Sequence, residues 1–440
     1  MNWSIPTLED LEHSVWRCTA CGTCKVAYEY GPPPKHGEIC PAGVEFGFEG
    51  YLASKGKIAF ARGILSGDLE WDGPLAEAVY RCTLCGGCQS QCQLDHKPYL
   101  IEIFESMRRK AVEAGVGPLP SQRVVAQSLA TYENPYQAPR RVRTDWTRQF
   151  KKAGKPVRTF ADTDAEILFF VGCTGAYNQG ARVIPTATAS IFQKLGLDFA
   201  ILGEEERCCG STAMRIGLTD DFTRIAEANM ETFSRLRDEK GMKTIVTSCA
   251  GCFRAVKKDY SLADGYAEAM DGIRVVHTVD FLNELYREGR LPLAAGAERV
   301  VTYHDPCHTG RHLNKFYVDE DGSEQYVGAY LGLSEDECVY DAPRELLQAI
   351  PGVEFREMPR NRANSFCCGG GGGVMTGFPD WATRNASKRI AEGEATGAGE
   401  MVSICPFCFF NLGEGARQGE SALRVRDLTE LIDEALPDSI

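Results

Sequence analysis

No apolar run in this 440-residue chain approaches the ~18 residues that mark a membrane-crossing helix. Met1 to Asp10 has no basic segment followed by an apolar core, so no secretory leader is recognisable there. Positive charge is also scarce: 48 lysines and arginines against 61 aspartates and glutamates leave a formal net charge of −13. That balance disfavours wholesale nucleic-acid binding and leaves room only for a local basic patch. No nucleotide or flavin fingerprint stands out. These absences predict a soluble, unexported, cytoplasmic chain that binds no nucleic acid and reaches a membrane only through a partner. Its length predicts two or three domains, each large enough to bury its own core.

What the chain does have is cysteine. The 19 cysteines fall below the ~8–10% of a small disulfide scaffold, and they cluster at short spacing instead of spreading as loop staples. In a cytosolic chain that pattern favours metal over disulfides, and the odd total leaves at least one thiol outside any fully paired scheme.

Two groups lie in the first 160 residues. Cys18, Cys21 and Cys24 are followed by Cys40, and Cys82, Cys85 and Cys88 by Cys92. This is the spacing of bacterial two-cluster ferredoxins, where a tight turn aims three thiolates at one cubane and the fourth ligand comes from the other group. The expected sets are therefore Cys18, Cys21, Cys24 with Cys92, and Cys82, Cys85, Cys88 with Cys40, each on a cubane [4Fe-4S] cluster. Gln93 stands where proline usually follows the last cysteine, and fifteen residues separate Cys24 from Cys40. Helices are predicted at Leu8 to Arg17, Pro74 to Tyr80 and Tyr99 to Ala114, the last from the spacing of Ile101, Phe104 and Met107. Zinc is the alternative occupant of four-thiolate sites. Between Asn134 and Arg158 a basic stretch reads as a linker, either a solvated charge run or a docking strip for an acidic redox partner.

From Glu166 strands and helices alternate, which predicts parallel sheets. Strand-like runs at Ile167 to Val171, Phe199 to Leu202 and Lys243 to Thr247 are followed by Cys173, by Cys208-Cys209-Gly210 and by Cys249-Ala250-Gly251-Cys252. The order then repeats: Val300 to Tyr303 leads to Cys307, Val353 to Glu357 precedes Cys367-Cys368-Gly369, and Met401 to Ile404 delivers Cys405-Pro406-Phe407-Cys408. This is an internal duplication of about 140 residues, found by cysteine order. Cysteines just past strand ends fit the ligand-binding edge of such sheets. The predicted units are 1–160, 161–292 and 293–440, with pseudo-two-fold packing of the last two.

Thirty-four residues separate Cys173 from Cys208 but fifty-nine separate Cys307 from Cys367, and the excess, around Leu313 to Val339, is acidic. It reads as a solvated insertion, with Cys338 inside it as a buried bystander. The five glycines from Gly369 to Gly373 lack the Lys-Ser/Thr that follows a phosphate-binding loop. Their bare amides, with that of Gly210, suit the sulfur of a cluster better; Gly369, Gly370 and Gly371 are the expected contacts.

Three further stretches, His304-Asp305-Pro306-Cys307-His308, Asp341-Ala342-Pro343-Arg344-Glu345 and Asn364 to Val374, complete the pattern. The chain resembles the iron-sulfur subunits of the heterodisulfide reductase family, in the fused form where a ferredoxin module precedes two Cys-Cys-Gly domains. The resemblance covers nearly the whole chain and implies an α+β multidomain protein: a helical two-cluster ferredoxin module followed by two duplicated α/β Cys-Cys-Gly domains. It implies a noncubane [4Fe-4S] cluster on Cys173, Cys208, Cys209, Cys249 and Cys252, and another on Cys307, Cys367, Cys368, Cys405 and Cys408. A conventional cubane with a spare thiolate is the alternative in either half.

The family mechanism implies a disulfide held between these two clusters, with His308 and His304 as candidate proton sources or hydrogen-bond donors to the cluster. Arg215 and Arg311 face an anionic substrate or serve packing. The expected partner is a flavoprotein or other redox subunit of a larger complex. The second reading is an electron conduit without its own substrate, linking a flavoprotein to quinone or to another reductase such as one acting on aromatic acyl-CoA. The third is a zinc-stabilised scaffold.

Overall fold

In a computed structural model, which describes residues 5–26, 37–47, 53–294, 296–313 and 338–437, the β-branched runs form eight short parallel strands in two sheets of four. The first sheet holds β1 (Ile167–Phe169), β2 (Phe199–Ala200), β3 (Thr244–Thr247) and β4 (Arg274–His277) in the order β2-β1-β3-β4. The second repeats it with β5 (Arg299–Tyr303), β6 (Val353–Phe355), β7 (Glu400–Ser403) and β8 (Arg424–Asp427) in the order β6-β5-β7-β8. Ile245 pairs with Leu168 and Val275, and Met401 with Thr302 and Val425. Leu168, Phe169, Ile245 and Val246 are fully buried, as strands covered on both faces by crossover helices must be. In each sheet the chain reverses direction between its first and third strands, which opens a crevice at their carboxyl ends.

The halves pack as a pseudo-two-fold pair. The helix after β1, Val183–Lys194, lies against the last helix of the second half, Leu428–Ala435, where Ser190 donates to Asp433 at 2.7 Å. Its counterpart Asp341–Ala349, after β5, lies against the last helix of the first half, Thr278–Arg287, through Asn283 and Glu345 at 3.0 Å. Such reciprocal use of equivalent surfaces is what a two-fold interface requires.

Up to Lys152 the regular structure of the described residues is helical apart from one short antiparallel bridge, Val26 to Glu38. Gly73–Tyr80 begins at Asp72, whose carboxylate accepts from the Leu75 amide at 2.8 Å, and Leu100–Glu113 buries Ile103, Phe104 and Met107. The expected helix over Leu8 to Arg17 is only Glu12–Trp16, because Thr7 and Asp10 cap each other's amides and hold residues 7–10 in a turn.

The basic stretch is not a loose linker. Arg140–Thr147 is a 3-10 helix and Arg148–Lys152 an α-helix, and they bury Trp146 and Phe150 against the first sheet. Arg140, Arg143, Arg148 and Arg158 are paired with Glu133, Glu206, Asp145 and Asp198, of which only the Arg143–Glu206 pair is buried. Residues 314–337 of the acidic insertion lie outside the described residues; at its end Cys338 is half-buried, with its thiol donating to the Gly310 carbonyl at 3.5 Å. Among the described residues no helix is long and apolar enough to cross a membrane.

Candidate metal centres

In each α/β half the Cys-x-x-Cys sits where a strand hands over to a helix. Cys249 precedes the helix Ala250–Lys257, and Cys405 precedes Pro406–Gln418. The second cysteine of each pair, Cys252 or Cys408, therefore lies in a first turn, where its neighbours, Cys209 and Cys249 or Cys368 and Cys405, and then burial push its thiol pKa well up. Cys173 opens the short helix after β1, and Gly172 before it must be glycine: its φ is +76° and a Cβ would stand 2.9 Å from the Cys252 sulfur.

The vicinal pairs are held alike in both halves. The Gly210 amide donates to the Cys208 sulfur at 3.4 Å, and the Gly369 amide to the Cys367 sulfur at 3.3 Å. Asn229 donates to the Cys208 carbonyl at 2.8 Å, and Asn385 to the Cys367 carbonyl at 2.7 Å. Asn411 holds the Cys368 carbonyl at 2.7 Å, and Tyr260 that of Cys209 at 3.1 Å.

The thiols of each half converge. Cys173 bonds with Cys208, and Cys209 with both Cys208 and Cys252. In the other half Cys367 bonds with Cys307 and Cys368, and Cys368 with Cys408. Thiols donating from Cys208 and Cys252 hold the Cys209 pKa below the ordinary range, and Cys367 and Cys408 do the same for Cys368. The two halves also meet: Cys249 donates to Cys405, whose pKa is pulled down in turn. One cavity of about 230 Å³ is lined by all five cysteines of the first half and by Cys307, Cys368, Cys405 and Cys408 of the second.

The ferredoxin-like cysteines form two further groups. Cys18, Cys21, Cys24 and Cys92 surround one small hollow of about 20 Å³, with Ser54 donating to the Cys24 sulfur at 2.8 Å. Cys40, Cys82, Cys85 and Cys88 surround the other, also of about 20 Å³. The first group is near the surface, with Cys21 exposed; in the second, Cys85 and Cys88 are buried. Cys85 shares a hydrogen bond with Cys367, so the second group touches the C-terminal five-cysteine set. Sulfur-only donor sets of four and five suit iron-sulfur clusters.

The glycine run does more than border the cavity. Gly370 and Gly371 border the cavity, yet a Cβ on Gly371 would lie 2.9 Å from the Thr83 carbonyl, and one on Gly372 2.6 Å from that of Cys82. The run is bare largely because the Cys82 loop lies directly on it.

The histidines divide. His304 is buried behind the thiols, within reach of Cys368 and Cys408, and its Nδ1 accepts from Arg389 at 3.2 Å. An arginine can only donate, so the imidazole proton sits on Nε2, and His304 donates to Cys368. His308 borders the cavity, and burial, with Arg254 and Arg215 nearby, holds its pKa well below the ordinary imidazole range. Arg215 reaches the cavity but is held by Glu105 and Asp259, while Arg311 donates to the Cys85 carbonyl at 3.1 Å and the Ala363 carbonyl at 3.2 Å. Both are locked in structural bonds and neither is available to an anionic ligand.

Residues 14–95 match the 4Fe-4S dicluster domain family, and residues 167–257 and 301–413 match the cysteine-rich domain family. A dihydromethanophenazine:CoB–CoM heterodisulfide reductase polypeptide of Methanosarcina mazei is 34% identical to the chain over 427 residues, 95% of the chain's length and 93% of its own. The chain belongs to the family of that reductase polypeptide. It is an iron-sulfur electron-transfer subunit of that oxidoreductase type. A more distant relative is the EtfAB:quinone oxidoreductase of Syntrophomonas wolfei, 26% identical over 82% of this chain and 47% of that protein. A solved structure of a hypothetical protein from Helicobacter pylori shares the fold, with a TM-score of 0.51 at 9% identity over 88% of this chain and 68% of the other.

Several residues around these family centres were not legible in the sequence. Arg143, from the supposed linker, donates to the Cys173 sulfur at 3.6 Å while paired with Glu206. His312 lies with its ring 4.5 Å from that of His308, bonds to Arg254, and points Nε2 at Gly86 of the Cys82 loop. Asn229 and Asn385 did leave a signal: each is a buried amide in the long helix that follows its Cys-Cys-Gly.

Proposed function

We propose that the chain carries electrons from a redox partner, such as a flavoprotein, to a disulfide bound between its two α/β halves. In this reading Cys18, Cys21, Cys24 and Cys92, and Cys82, Cys85, Cys88 and Cys40, hold two cubane [4Fe-4S] clusters. Cys173, Cys208, Cys209, Cys249 and Cys252, and Cys307, Cys367, Cys368, Cys405 and Cys408, hold two noncubane ones. The borders of the three units lie near residues 160 and 292. Bound there, the clusters supply one-electron storage and transfer.

One observation carries the reading: nine of the ten cysteines of the two sets line a single cavity, and a ferredoxin-module thiol touches the tenth, Cys367. Reduction of a disulfide takes two electrons and two protons and releases two thiols. The chain's own residues exclude water and seat the substrate in the cavity, where the neutral imidazole of His308 relays protons to the leaving thiols, while His304 steadies Cys368 from behind. A heterodisulfide such as that named for the Methanosarcina mazei relative is the first substrate to try.

Anaerobically purified protein should contain about sixteen irons per chain, four for each cluster. After reduction, a heterodisulfide should reoxidise it and release two thiols per disulfide. Zinc in place of iron would end the redox reading. Similarity to the quinone-reducing relative favours a second reading, a conduit without its own substrate. Full iron content, co-purification with a flavoprotein and no thiol release would establish that one instead.

A further inference from the structure

Burying a guanidinium is tolerable when an anion accompanies it, and this chain follows that rule with two exceptions. Arg143 lies on Glu206, Arg215 on Glu105 and Asp259, and Arg389 on Glu392. Among the described residues Arg108 and Arg311 are the buried arginines in no ion pair: the first is 0% exposed, the second 3%.

Both bond only to neutral peptide carbonyls. Arg108 donates to those of Cys82, Arg215 and Gly372, each at 2.6 Å, and to that of Tyr80 at 3.3 Å. Arg311 donates to the carbonyls of Cys85, Ala363 and Ser365. The two guanidiniums therefore grip opposite ends of the Cys82–Cys85 loop and tie it to the Cys-Cys-Gly halves. The groups whose negative charge acts most strongly on them are thiols: Cys82, ahead of Tyr80 and Glu105, for Arg108, and Cys85, Cys307 and Cys367 for Arg311. A third cation, Lys57, borders the same hollow as Cys40 and Cys82.

We propose that Arg108 and Arg311 are the buried counter-charges of the metal cluster held by Cys40, Cys82, Cys85 and Cys88, and that they set its reduction potential. The inference rests on the electron-transfer reading above. A reduced cluster carries one more negative charge than an oxidised one. Two fixed positive charges in a water-poor surrounding stabilise the reduced form more, which raises the potential. The carbonyl bonds hold those charges in place, so the effect belongs to the junction where Cys85 meets Cys367. Arg108 and Arg311 are thus positioning residues, since neither touches a substrate.

The test is redox potentiometry followed by EPR on the full chain, comparing wild type with Arg108→Gln, Arg311→Gln, Arg108→Lys and Arg311→Lys. Each glutamine variant should lower the midpoint of one cubane by at least a ten-fold change in its reduction equilibrium, 59 mV for a one-electron couple. The lysine variants should stay near wild type, and the other cubane should not move. Unchanged midpoints in both glutamine variants would overturn the proposal. An equal fall in the lysine variants would also do so, since geometry and not charge would then be at work. Where a glutamine variant fails to load iron, its lysine partner decides: a loaded cluster at the wild-type midpoint supports the proposal, and a shifted or unloaded one overturns it. Wild-type protein without clusters would instead sink the electron-transfer reading itself.

Discussion

Glu392 is fully buried, with Arg389 at 2.6 Å, the Arg360 guanidinium at 2.8 Å and the Arg360 amide at 2.9 Å. Burial works against its charge, but the two guanidiniums outweigh that and bring its pKa down to about 2. The folded value lies below the ordinary 4.5, so its stabilisation is complete above about pH 4.5 and is lost as pH falls toward 2. The whole effect is about 3 kcal/mol. The gap in urea-unfolding free energy between wild type and Glu392→Gln should narrow by about 2 kcal/mol from pH 6 to pH 3; a gap indifferent to pH would show that the carboxylate is not the anion. At the cavity, His308→Gln should slow thiol release by about a hundred-fold, and His304→Gln should alter the cluster spectra, because its partner is Cys368. The cysteines and these histidines were legible because short spacing survives in one dimension. Arg108, Arg143 and His312 were not, because each meets its partner across a long stretch of chain and a lone basic residue carries no periodicity.

Among elements, the glycine run shows how one sequence signal can serve two purposes. A Cβ at Gly372, whose φ is +61°, would meet the Cys82 carbonyl at 2.6 Å, and backbone cannot step aside as a side chain can. Gly372→Ala should cost about 1–3 kcal/mol and slow electron passage from the ferredoxin module to the C-terminal half. Gly399→Ala, with nothing within 4 Å, should leave both unchanged; urea unfolding and stopped-flow reduction would separate them. Alanine at Asn229 or Asn385 should cost about 1–3 kcal/mol each by leaving a buried carbonyl unpaired. The alternation of strand and helix was readable because buried parallel strands form continuous apolar runs. β4 and β8 escaped, being four-residue edge strands that carry Arg274, and Arg424 and Arg426, which blunt an edge against further pairing and blur the pattern.

At the scale of the molecule, the two α/β halves each have a sheet and crossover helices to sustain them, while the N-terminal module has short helices and two sulfur-lined hollows. Iron removal by an anaerobic chelator should therefore abolish amide-exchange protection first in residues 5–100 and leave β1, β3, β5 and β7 protected. Uniform loss would show that the clusters support the whole chain. The duplication was readable from cysteine order, but the way its halves meet the module was not. Pseudo-symmetry invites two equivalent attachments, and among the described residues a module thiol bonds to only one set, through Cys85 and Cys367. The halves then join through Cys249 and Cys405. If each set holds a cluster, these contacts place the two in series behind one inlet. Damage to the near set should silence both, whereas damage to the far set should leave the near one chargeable but stranded with an odd electron.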